Sequence, residues 1–114
     1  MQKTTQTSLH DIYVEFERAE AARAAGNEGR ARVCARRAAG MAALDFLNRH
    51  GIRPHSENAY DALQMLTEYA GLAPDLRQAS IYLTLHVTEE FISPVDVDLI
   101  AEARKLCDCL KEHP

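Results

Sequence analysis

The chain has 114 residues, 46 % hydrophobic and 26 % charged, with a net charge of −4. That size supports one core and not two, and the acidic balance excludes the basic surface expected of a general nucleic-acid binder. No apolar run approaches the roughly 20 residues that cross a bilayer.

The opening MQKTTQTS has no apolar segment of the secretory kind. Cys34, Cys107 and Cys109 form no CxxC pair. Both features point to a cytoplasmic protein with reduced thiols. Cys107 and Cys109 stand two apart, which on a helix turns them to different sides, so the spacing predicts no metal site. Residues 1–7 read as a disordered lead-in and 8–112 as a single helical domain.

A first helix is expected from Ser8, with Asp11 three residues on as a capping-box variant. Leu9, Ile12, Tyr13 and Phe16 recur at helical spacing and read as a core stripe. Gly26-Asn27 is a turn signal. Asn27 then suits the N-cap of a second, longer helix over Gly29 to Ile52. Projected at helical pitch, that helix shows two packing faces: Val33, Gly40, Leu44 and Leu47 with Met41, and Ala35, Ala39, Ala42 and Phe46. Such a helix is central to its domain or holds a subunit interface. Arg37 falls inside the first face, where its guanidinium must snorkel, pair with a carboxylate or meet a partner chain. Gly51 suits a left-handed C′ position, with Leu47 and Ile52 placed to touch in a Schellman motif.

Ser56 is the expected N-cap of a third helix carrying Tyr60, Leu63, Leu66 and Ala70, closed by Gly71. Pro74 opens a fourth at an N1-type position. Its stripe runs Leu76, Ala79, Leu83, Val87 and Phe91. SIYLTLHVT has strand-like composition, but no other stretch alternates to pair with it, so a buried helix is the consistent reading. Ser93-Pro94-Val95-Asp96 reads as the start of a fifth helix with Leu99, Ala103, Leu106 and Leu110 as its core stripe. The fold class expected is all-α, an up-and-down bundle of about five helices.

Residues 32–47, RVCARRAAGMAALDFL, form an alanine-rich second helix ending at Gly51. Pro54-His55-Ser56, a short helix with Leu63 and Leu66 and two further helices follow. Over about residues 9–110 this arrangement resembles the HEPN family of small helical domains. The resemblance implies a four- or five-helix bundle that dimerises, a nucleotidyltransferase partner in many members, and RNase activity in those with an R-x4–6-H pair late in the domain. Here only Arg49 and His55 have that spacing, and they straddle the end of the second helix. The expected role is therefore a non-catalytic, homodimeric binding or regulatory module. An RNase toxin using Arg49 and His55 is the alternative.

Arg30, Arg32, Arg36 and Arg37 are the candidate ligand-binding residues, because guanidinium forks bind phosphate in bidentate fashion and a helix N-terminus lies beside them. A nucleotide or RNA is the ligand this would suit. The competing reading is a solvated face paired with Glu15, Glu17, Glu20 and Glu28. No GxxxxGK or GxGxxG loop is present, and no cofactor is expected. Cys34 reads as a buried thiol. Residues 25–31, AGNEGRA, have the flavour of a tetratricopeptide-like adaptor, but no repeat with a period of about 34 residues accompanies them.

Overall fold

A computed structural model describes residues 9–84 and 97–111. Within them lie five helices and no strand: α1 Leu9–Ala24, α2 Glu28–Arg49, α3 Ala59–Thr67, α4 Pro74–Thr84 and α5 Leu99–Lys111. The all-α bundle expected from the periodicity is the observed architecture. The expected lead-in, the continuation of the fourth stripe to Val87 and Phe91 and the Ser93-Pro94 start lie outside the described residues. No described helix is long and apolar enough to cross a membrane.

The turn between α1 and α2 is as tight as the chain allows. Gly26 adopts φ +82°. The Gly26 amide donates to Arg23 O and the Asn27 amide to Ala22 O, which closes α1 in a Schellman motif. Asn27 also accepts from the Arg30 amide at 3.1 Å, so one residue both closes α1 and caps α2. Gly51, at φ +74°, ends α2 in the same way, with the Ile52 amide donating to Leu47 O at 2.9 Å.

α2 is the spine. Ala31, Cys34, Ala35, Ala38, Ala39, Gly40, Ala42, Ala43, Phe46 and Leu47 are all buried along it. Small side chains over most of this length let α1, α3 and α5 approach closely. Residues 50–58 carry the chain back along α2, so α3 starts beside Gly40 and Tyr69, two residues past its end, packs edge-on against Phe46. In the α3–α4 contact the fully buried Ser80 hydroxyl donates to Leu63 O at 2.8 Å.

Several expectations are corrected. The face of α2 expected from Val33, Gly40, Leu44 and Leu47 is a core face only in its second half, where Gly40 and Leu47 are buried and Leu44 packs against the core. Val33 is 40 % exposed and Arg37 is exposed, because the neighbouring helices pack on the alanine side. α3 begins one turn's fraction later than Ser56, since Asn58 accepts from both the Tyr60 and Asp61 amides. Ser56 instead donates to Asp61 Oδ2 and accepts from the Asn58 amide. Gly71 is not in the left-handed region. The end of α3 is closed by the Arg77 guanidinium, which donates to Thr67 O at 3.0 Å and Tyr69 O at 2.8 Å. α5 starts at Leu99, after two non-helical residues, because Asp98 Oδ1 accepts from the Ile100 and Ala101 amides.

Candidate binding groove

The four arginines singled out by the sequence do not converge. Arg36 is half-buried and its Nε donates to Leu83 O at 2.7 Å, at the end of α4 where Tyr60 also donates to Thr84 O. Burial pushes the Arg36 pKa down and neighbouring Arg32 adds to this, Tyr60 acting in the opposite sense. Its role is to cap a helix C-terminus, where cations are favoured. Arg30 and Arg37 stand on the exposed side of α2, away from the Arg32–Arg36 side.

Three of the four acids expected to neutralise these arginines make their ion pairs with other arginines, although Glu28 still feels the charge of Arg32. Glu15 pairs with Arg18 at 3.3 Å, Glu20 with Arg104 at 3.3 Å and Glu28 with Arg23 at 2.7 Å. Arg23 also reaches Asp98 at 3.0 Å, tying the α1–α2 turn to the start of α5. The Glu28 carboxyl is held below its usual range first by its hydrogen bond from Arg23. For Asp98, burial pushes upward, but bonds from the Ala101 amide, Arg23 and the Ile100 amide outweigh it and the net shift is downward.

Arg49 is turned toward the bundle. Its Nε donates to Asp45 Oδ2 at 2.8 Å and its Nη2 to Leu110 O at 2.9 Å, fastening the end of α5 to α2. His55 is exposed in the connecting segment. The histidine that packs is His50. Its Nδ1 lies 2.9 Å from Phe46 O and its ring 4.1 Å from the Phe46 ring.

A cavity lies elsewhere, on the surface where α1, α2 and α5 meet. It measures about 300 Å³. Ile12, Phe16, Ala42, Cys107 and Leu110 supply its apolar lining, and Tyr13, Asp45, Arg49, Arg104, Asp108 and Lys111 supply the rest. Tyr13 was expected in the core with Phe16. Phe16 is buried, but Tyr13 is 60 % exposed, because it falls between α1's packing side and solvent. The Arg104 guanidinium lies 4.5 Å from the Phe16 ring centroid, within cation–π range, and is held there by Glu20. The Cys107 thiol donates to Ala38 O at 3.6 Å, and burial pushes its pKa up to about 12, so it presents a neutral, unreactive wall.

Ile12, Tyr13, Phe16, Ala42 and Leu110 are legible in the sequence as packing positions, but the groove they share is not. The one signal available was an aromatic at the edge of the α1 stripe with cations late in the last helix. Among the described residues no three His, Cys, Asp or Glu side chains cluster as metal ligands. Comparison with family models, with curated proteins and with solved structures found no match to the chain.

Proposed function

We propose that this chain is a non-catalytic helical binding module whose working surface is the groove between α1, α2 and α5. The observation that carries the proposal is Tyr13, an aromatic side chain 60 % exposed beside a cavity of about 300 Å³ with an apolar lining. A concave apolar site with a few polar groups around it is the usual form of a ligand site, and a large exposed aromatic beside it is a typical anchor. The Arg49 bond to Leu110 O fastens two walls of the groove to each other, which suits a preformed site.

The residues with RNase spacing support a structural role better than a catalytic one. Arg49 fastens α5, and His55 lies on a different segment. RNA incubated with the purified protein should stay intact. Cleavage that disappears in His55→Ala would restore the nuclease reading.

Two-copy association, implied by the HEPN resemblance, draws support from α2, where Val33 is exposed and, two to three turns further on, Met41 and Leu44 are only half-buried. Light scattering at tens of micromolar reads this directly, and Val33→Glu should shift a dimer to monomer. For the groove itself, amide spectra recorded with a mixture of small aromatic fragments should show perturbations at residues 12–16 and 104–111. Perturbations confined to residues 30–37 would overturn the assignment.

A further inference from the structure

We draw no further inference here: the strongest candidate, the apolar groove between α1, α2 and α5 beside Tyr13, belongs to the site already described, its cations Arg49 and Arg104 are paired with Asp45 and Glu20, and nothing in the structure shows what covers it.

Discussion

Gly40 sits where α3 begins against α2, and it gives the sharpest test of the packing. A Cβ placed there would lie 2.4 Å from Ala59 Cβ and 2.6 Å from Ala59 Cα. Ordinary carbon–carbon contact is about 3.5–4.0 Å, so the overlap exceeds roughly 1 Å. One of the two atoms is main chain in the first turn of α3, directly after its Asn58 cap, so no rotamer change relieves it. In an open helix, glycine to alanine is favourable by about 0.8–1 kcal/mol. Overpacking costs about 1–3 kcal/mol, and here relief requires moving α3, so the upper part of that range applies. Gly40→Ala should therefore destabilise by about 1–2 kcal/mol, lowering the melting temperature by roughly 4–8 °C. Gly29→Ala is the control on the same helix. Its Cβ would meet only Asn27 Oδ1 at 3.9 Å, and it should melt at or above the parent. Adding Ala59→Gly to Gly40→Ala should recover part of the loss, with a coupling energy of at least about 0.5 kcal/mol. The recovery stays incomplete because the main chain of residue 59 still stands in the way of the new methyl group. A Gly40→Ala protein that melts as high as the parent would refute the close approach of α3 to α2.

Three further outcomes are expected. Arg77→Ala leaves the Thr67 and Tyr69 carbonyls without their donor and should cost about 1–3 kcal/mol in urea unfolding; Arg77→Lys should recover little, since an ammonium does not span both carbonyls as the fork does. Glu28 and Asp98 have folded pKa values below their unfolded ones, so their contribution is present above the unfolded carboxylate range, near pH 4, and is lost as pH falls through the folded values. Arg23→Gln should flatten that acid limb of the melting curve while changing little at pH 7, an exposed pair being worth little; an unchanged limb would mean that other carboxylates set it. Iodoacetamide at pH 8 should add one label per folded chain, at exposed Cys109, with buried Cys34 and Cys107 reacting only on unfolding; peptide mass spectrometry reads the positions.

Local signals carried much of the fold. Asn27, Gly51 and Pro74 each mark an end through their own backbone chemistry, so each could be read without knowing the partners. Ser56 misleads because serine and asparagine two residues apart both suit an N-cap, and only the geometry shows that Asn58 takes the amides. The caps supplied by Arg36 and Arg77 were not legible, since each serves carbonyls outside its own helix. The same cause scattered the arginine patch. Four arginines within eight positions look like one surface, yet helical pitch separates Arg30 and Arg37 from Arg32 and Arg36, and burial takes Arg36 out of reach. The groove draws on α1, α2 and α5 at once, and no single stretch announces it.

Asn27 closes one helix and starts the next, and this leaves the α1–α2 hairpin without slack. Changing the angle between these helices means giving up the hydrogen bonds at Gly26, Asn27 and Arg30 together. The hairpin is thus a fixed jaw, and α5 forms the facing side of the groove. Its near end is pinned by Arg23 at Asp98, and its far end is held at Leu110 O by Arg49. One side chain therefore stands both in the groove wall and at the attachment of the last helical turn, joining the cleft to the C-terminal end of the bundle.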